Sequence, residues 1–462
     1  MDAKPNLSDL GNAQRFVAQH GADLRYCYPW GKWLAWDGRR WRMDDTGEVE
    51  RRAKATVRSM YAEAQALPDA ERQALVKHAL ECERAARVRS MIDLARSELA
   101  VLPAALDCDQ WLLNCPNGTV DLRTGEARPH DRADLLTKLC PVAYDPDAAT
   151  FVWDGLFLER VFAADWQLVG FVQRLLGYCL TGSVREQVLP ILWGIGANGK
   201  STLLGVMLDL LGGDYAMKAA PDLLMVKGDA HPTERADLHG KRLVVAIETD
   251  DGKRLAEALV KDLTGGDRIR ARRMREDHWE FAPTHKLILA TNHRPTIRGT
   301  DHAIWRRIRL VPFNVVIPDD QQDKTLPDRL RGELPGILAW CVQGCLAWQR
   351  DGLGLPDDVR EATAEYRQHQ DVLGAFLNEC CLLGDGLRCK ASTLYAAYID
   401  WCKATGERPA KQREFGSTMT ERGFDRFANN GTWYRGLTVR ESANGRTEPY
   451  GTSVAYEREL PT

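Results

Sequence analysis

Apolar positions change their period along this chain, and the changes mark out its elements. Residues 12–17 carry helical spacing. Leu24-Arg25-Tyr26-Cys27-Tyr28 and the stretch from Lys32 to Trp41, turning at Asp37-Gly38, predict two short strands. Tryptophans there read as the core of a small sheet rather than as a base-stacking surface. From Gly47 to Leu102, Ala, Arg, Glu and Leu recur at helical spacing interrupted at Pro68-Asp69, which predicts a helical hairpin or small bundle. Short strands return between Leu113 and Tyr144, with turns at Asn117-Gly118 and Thr124-Gly125. Asp145-Pro146-Asp147 reads as a linker and 152–180 as helices. Three continuous apolar runs follow, at 188–193, 243–247 and 287–290, the last within the strand read from Lys286 to Asn292, each the length of a buried strand. Beyond Phe313 the spacing is helical again, at 334–349 and 358–377. The last unit reads as a helix at 392–404, a helix at 412–422 and a hairpin turning at Asn429-Asn430-Gly431. Helix, helix and hairpin together predict a winged helix, in which Lys411, Arg413 and Arg422 could meet DNA. Residues after Arg440 are polar and expected to be disordered.

Composition adds limits. The chain has 462 residues, 44% hydrophobic and 27% charged, the balance of a soluble globular protein of about three domains. No run approaches the roughly 20 apolar residues of a membrane span, and no signal peptide is read at the start, so a cytoplasmic protein is expected. The 12 cysteines lack paired C-x-x-C spacing and read as buried thiols rather than a zinc site. A net charge of −3 predicts no whole-protein attraction to nucleic acid, so any such binding must come from a local patch.

The apolar runs end in chemistry. The first leads into Gly194-Ile195-Gly196-Ala197-Asn198-Gly199-Lys200-Ser201-Thr202, a complete phosphate-binding loop between strand and helix. Backbone N–H groups must close around a β-phosphate there, Lys200 must reach the β- and γ-phosphates, and Ser201 must ligate Mg²⁺. The second run ends at Glu248-Thr249-Asp250. A carboxylate at that edge ligates the metal or orients the attacking water, with Glu248 preferred and Asp250 second. The third ends at Asn292, an amide that could hold the water without adding charge. Between residues 267 and 309, eleven Lys or Arg stand against five Asp or Glu, a local balance of +6. Arg268 to Phe281 within it reads as strand, tip, strand.

In this order and spacing, the loop, the acidic strand end, the amide strand end and Trp305-Arg306-Arg307-Ile308 resemble superfamily 3 helicases, small AAA+ motors. Within them the chain is similar to the phage and plasmid primase-helicase family, related to the poxvirus primase-helicase, through Gly194 to Thr202, Leu263-Thr-Gly-Gly-Asp267 and Trp305 to Ile308. Leu10 to Phe16, Trp33 to Trp41 and Asn117 to Leu122 resemble that family's helicase-associated domain. The resemblance implies an α/β fold in which an AAA+ type P-loop core at 149–318 follows an N-terminal α+β domain at 1–148. A helical segment at 319–380, a winged-helix-like domain at 381–445 and a tail at 446–462 complete it. It implies nucleotide contacts from Gly194 to Thr202, metal and water polarisation by Glu248, γ-phosphate sensing by Asn292 and a finger at Arg307 acting on a neighbouring subunit's ATP. Arg306 is the second choice. It further implies a ring, most simply a hexamer, and a hairpin whose Arg272, Arg273, Arg275 and His278 grip one DNA strand in the channel. No archaeo-eukaryotic type primase domain is read in these residues, so primer synthesis is not expected of them.

Two functions are consistent with this. One is an ATP- and Mg²⁺-dependent helicase of phage, prophage or plasmid replication, working on single-stranded or forked DNA in a bacterial cytoplasm beside a separate primase or polymerase. The other is an initiator or loader that melts an origin without processive unwinding.

Overall fold

Elements in the computed structural model follow this patterning closely. It describes residues 5–220, 222–226, 233–248, 252–272, 278–297 and 302–440. The chain divides into two units, Met1–Thr296 with Asp301–Thr363 and Ile297–Thr300 with Ala364–Thr462.

The first unit opens with α1 (Asp9–His20), capped by Ser8, whose hydroxyl accepts from the Gly11 N–H at 3.1 Å. β1 (Leu24–Cys27), β2 (Lys32–Trp36) and β3 (Trp41–Met43) form an antiparallel sheet. The helical stretch is three helices, α2 (Glu48–Gln65), α3 (Asp69–Cys82) and α4 (Ala85–Ala95). Phe16, Leu24, Val49, Val57 and Met91 form the core between helices and sheet, with Trp33 against it. Trp41 is fully buried in a second small core. The tryptophans are therefore structural, as their spacing predicts.

A second antiparallel sheet, β4 (Leu112–Cys115), β5 (Gly118–Asp121) and β6 (Glu126–Arg128), comes next. Helical winding at Val152–Leu158 runs into α5 (Glu159–Val161), and α6 (Trp166–Leu180) leads to the central sheet. That sheet contains β7 (Leu189–Trp193), β8 (Ala216–Lys218), β9 (Leu243–Glu248), β12 (Lys286–Thr291) and β13 (Ile308–Pro312). All five are parallel, in the order β13-β7-β12-β9-β8. Crossover connections cover both faces, which is why the strands read as continuous apolar runs. α7 (Lys200–Tyr215), α8 (Thr233–Ala236), α9 (Glu257–Thr264) and α10 (His302–Trp305) lie in those connections, as does a two-stranded ribbon of β10 (Ile269–Ala271) and β11 (Trp279–Phe281). After β13 come α11 (Leu326–Gly332), α12 (Leu334–Asp351) and α13 (Asp357–Gln370).

One apolar core runs from Leu113, Val120 and Leu122 of the second sheet through Leu175 and Leu176 of α6 to Leu204 and Met207 of α7. It ends on Ile337 and Val342 of α12. The core is continuous across residue 148.

The second unit contains α14 (Val372–Cys380), β14 (Cys381–Lys390), α15 (Ala391–Thr405), α16 (Gln412–Glu421), β15 (Arg426–Ala428) and β16 (Thr432–Val439). The three strands are antiparallel in the order β14-β16-β15. Patterning predicts α15, α16 and the hairpin but misses β14, because Gly384-Asp385-Gly386 inside it reads as a turn. A register shift between Leu383 and Arg388 absorbs those residues.

Candidate active site

Gly194 to Thr202 leaves β7 and enters α7, and each glycine there has a steric reason. A Cβ on Gly194 would lie 2.3 Å from both Asn198 Nδ2 and Phe313 O, and one on Gly199 would lie 2.6 Å from Val161 Cγ2. Gly196 and Gly199 have φ of +117° and +85°, in the range that favours glycine. Neighbouring chain braces the loop: Phe313 N–H donates to Trp193 O (2.7 Å), Asn198 Nδ2 to Phe313 O (3.1 Å) and Ile317 N–H to Ala197 O (2.8 Å). Ile195 is 82% exposed and Ser201 lies exposed in the first turn of α7, with Thr202 half-buried beside it.

Lys200 is buried, yet its ammonium donates to two neutral oxygens, Gly194 O at 2.7 Å and Asn198 Oδ1 at 2.9 Å. Burial pushes its pKa down to about 8. A desolvated cation at a helix N-terminus, under a loop in which Gly194 and Gly199 leave no room for a side chain, fits a phosphate chain. Residues 194–202 therefore fit a nucleotide, and Ser201 offers a hydroxyl where a phosphate-bound metal would need one.

Register sets the rest of this edge. Thr291 of β12 is paired with Glu248 of β9 on one side and Trp193 of β7 on the other, and Trp193 with Pro312 of β13. Four parallel strands thus end level beside the loop, at the carboxyl edge where such sheets bind ligands. Glu248 is buried there, 3% exposed. Asn292 follows β12 by one residue and is half-buried. Asp250 lies outside the described residues. Arg294, which no motif singles out, stacks its guanidinium 4.1 Å from the Trp193 ring, next to Gly194. Its only signal in the sequence is its place two residues past Asn292.

The finger expected at Arg307 falls on a buried residue, and the second choice at Arg306 on an exposed one. Arg307 is 6% exposed, its Nε donates to Thr264 Oγ1 at 3.1 Å and its Nη1 to Ala303 O at 2.7 Å, so it ties α9 to α10. Arg306 points outward, exposed, with Nη2 at 3.4 Å from Gln187 Oε1.

The basic ribbon forms as spaced. Ile269 pairs with Phe281, Arg270 with Glu280 and Ala271 with Trp279, and His239 packs edge-on against Trp279 and Phe281. Arg272 and His278 are exposed at its outer end, while Arg273 and Arg275 lie outside the described residues. Glu280 tempers the positive charge, lying 3.7 Å from Arg268.

At the opposite, amino edge of the sheet two further cations are buried, and patterning finds neither. Arg242 donates to Leu180 O and Leu112 O, both at 2.6 Å, and lies 4.5 Å over Tyr215. Lys286 donates to Thr181 O and to Thr284 O, and burial pushes it down to about 7. Both cap the carboxyl end of α6, where cations oppose the helix dipole. Nearby His285 is held neutral by burial, at about 4.

A Cys–His–Asn cluster in the N-terminal helices also proves structural. Asn12 Nδ2 donates to Cys82 Sγ at 3.1 Å, and His78 Nε2 lies 2.8 Å from Asn12 Oδ1 and 3.3 Å from Cys82 Sγ. Cys82 is fully buried, and burial raises its pKa, so it is no nucleophile. Among the described residues no cluster of His, Cys, Asp and Glu could hold a metal ion, and no helix is long and apolar enough to cross a membrane.

Known proteins resemble this chain in three segments. Residues 13–162 match the D5 N terminal like family, 192–307 a family of unknown function (DUF5906) and 368–431 the Poxvirus D5 protein-like family. A candidate helicase of Acanthamoeba polyphaga mimivirus is 28% identical over 331 residues, covering 66% of this chain and 34% of its own length. For a candidate helicase of Frog virus 3 the figures are 26% over 324 residues, 65% and 31%. A candidate primase of African swine fever virus (Tick/Malawi isolate) is 26% identical over 212 residues, covering 44% and 22%. The chain thus spans at most about a third of these relatives. A structure of the C-terminal region of NrS-1 aligns over 93% of this chain and all of its own, with a TM-score of 0.52 at 11% identity, which speaks to fold alone. The viral relatives lend no support to the bacterial setting expected from the sequence.

Proposed function

For a chain that carries D5-type regions on both sides of its phosphate-binding loop, we propose an ATP-driven DNA helicase motor of viral or plasmid-type replication, an AAA+ core with a winged-helix-like C-terminal unit. One observation carries the proposal. Lys200 is buried at the start of α7 without a carboxylate partner in its hydrogen bonds, beside four strand ends brought level, one of which bears the buried Glu248.

Mg²⁺ bound with ATP would supply charge neutralisation at the β- and γ-phosphates. The chain's own groups do the rest. Loop N–H groups and Lys200 hold the phosphates. Ser201 and Glu248, with Asp250, would hold the metal, and Glu248 would also orient the attacking water. Asn292 holds that water by hydrogen bonding, and Arg306 crosses to the next subunit's γ-phosphate in a ring. Arg272, Arg273, Arg275 and His278 grip DNA. Arg307 becomes a positioning residue, because it fixes the α10 end from which Arg306 projects.

A forked duplex with a labelled strand tests the proposal. The chain should release the strand only with ATP, and Arg306→Ala should not. Mixing Arg306→Ala with Lys200→Ala should restore part of the activity, since mixed rings contain interfaces with both groups intact. Arg307→Ala should lose thermal stability and regain nothing in the same mixture. Rescue of Arg307→Ala but not of Arg306→Ala would return the finger to Arg307. ATP hydrolysis stimulated by DNA with no strand released would favour the initiator reading.

A further inference from the structure

We propose that the outer face of the C-terminal sheet is a stacking platform for single-stranded nucleic acid, separate from the ribbon of the motor. It goes beyond the motor reading, because it lies in the second unit and needs no nucleotide. Register assigns the face. Lys390, Trp433 and Phe427 are cross-strand partners in one row, and Arg388 and Arg435 in the row two residues along, so their side chains share one side of the sheet. The intervening row, Cys389, Tyr434 and Arg426, faces the other way. Cys389 and Tyr434 are buried in the unit's core with Leu394, Tyr398 and Phe415 of α15 and α16, and Arg426 lies against Tyr434. Trp433 and Phe427 take no part in that core.

What they form instead is suited to bases. The two rings lie 6.4 Å apart and 28° from parallel, and Arg435 sits 4.9 Å over the Phe427 ring. Trp433 Nε1 donates to Asn429 O at 2.6 Å, which fixes the indole in the turn of its own hairpin. Lys390 and Arg435 are exposed, and Lys390, Arg388 and Arg435 outnumber the one acid in line with them, Asp425, whose backbone O accepts from the Arg435 N–H at 3.0 Å. Half-buried aromatics among cations complement a polyanion carrying flat apolar groups. A single strand supplies both, since its bases are free to stack, whereas duplex bases are not.

Fluorescence anisotropy of a labelled oligothymidylate with the 462-residue chain, without nucleotide, tests this in a Lys200→Ala background, so that failure of the motor reading leaves the outcome unaffected. Phe427→Ala with Trp433→Ala should weaken binding by about 5-fold to 150-fold for the loss of one stacked base. Because those rings also steady the hairpin, Lys390→Glu with Arg435→Glu, on exposed positions, provides the second variant. It should lower the salt slope by about 0.7 for each phosphate no longer neutralised. Photocrosslinks from a bromouracil oligonucleotide should map to the peptide around 427–433. Wild-type affinity and slope in the charge-reversed chain, or crosslinks confined to 268–281, would overturn the proposal. Equal binding of blunt duplex, unaffected by loss of the rings, would also overturn it. So would loss of a protein partner in either variant with oligonucleotide binding unchanged.

Discussion

The two edges of the central sheet each bury a lysine, and the proposed function draws on only one of them. Lys200 at the carboxyl edge and Lys286 at the amino edge both donate to neutral oxygens, and burial pulls both below the usual lysine range, to about 8 and about 7. By depressed pKa alone the amino edge would be the better candidate site. The surroundings decide otherwise. Lys200 stands at the start of a helix, under a loop in which Gly194 and Gly199 admit no side chain. Lys286 is closed in by the end of α6 and faces Tyr178 at 5.1 Å, where nothing is left to bind. A perturbed cation is a candidate for function by its surroundings, here a glycine-bearing loop and a helix N-terminus, and not by its pKa alone.

Exchanging each lysine for methionine should break this symmetry most visibly. Lys200→Met should bind no ATP at concentrations that saturate the wild type, measured by calorimetry, while its melting temperature stays near that of the parent. Lys286→Met should keep ATP affinity and lose about 1–3 kcal/mol of stability in urea titration, since it strands carbonyls of Thr181 and Thr284. A loss of ATP binding in Lys286→Met would mean that the two edges are coupled.

Within the carboxyl edge, Glu248→Gln separates holding from hydrolysing. Turnover should fall by about 10²-fold to 10⁴-fold with ATP still bound, as expected when a group acting on water is neutralised. Unchanged turnover, followed by loss in Asp250→Asn, would move the role to Asp250.

Acidity gives the finest comparison. A phosphate chain favours the charged form of Lys200, so ATP affinity should be flat below pH 8 and fall above it, by at most about tenfold per unit. For Lys286 the sign concerns folding. Its folded value of about 7 lies below the unfolded one, so the unfolded chain holds more protons and stability should rise with pH above 7, by at most about 1.4 kcal/mol per unit. Urea titrations from pH 7 to 9 should show that rise reduced in Lys286→Met.

How far these sites can be read from residue order depends on how local their determinants are. The phosphate loop is legible because steric need for glycine, lysine and serine falls within nine consecutive residues. Its strands are legible because burial on both faces leaves unbroken apolar runs. Arg306 and Arg307 are adjacent, alike in type, and differ only in the direction taken at the end of α10, so spacing could not separate them. Lys286 and Arg242 escape notice because a basic residue flanking an apolar run ordinarily faces water. In the C-terminal unit the bulge between Leu383 and Arg388 breaks the alternation that would reveal β14, and with it the row that joins Lys390 to Trp433 and Phe427.

Arg242 ties Leu112 of β4 to Leu180 of α6, and the apolar core spreads from Leu113 to α12 around it. Residues from β4 to α12 are therefore a single heritable block. A recombination joint placed in the Asp145-Pro146-Asp147 stretch, inviting as a linker by composition, would strand half of that core and orphan a guanidinium. Any exchange that keeps this core whole would have to carry the second small sheet along with the parallel one.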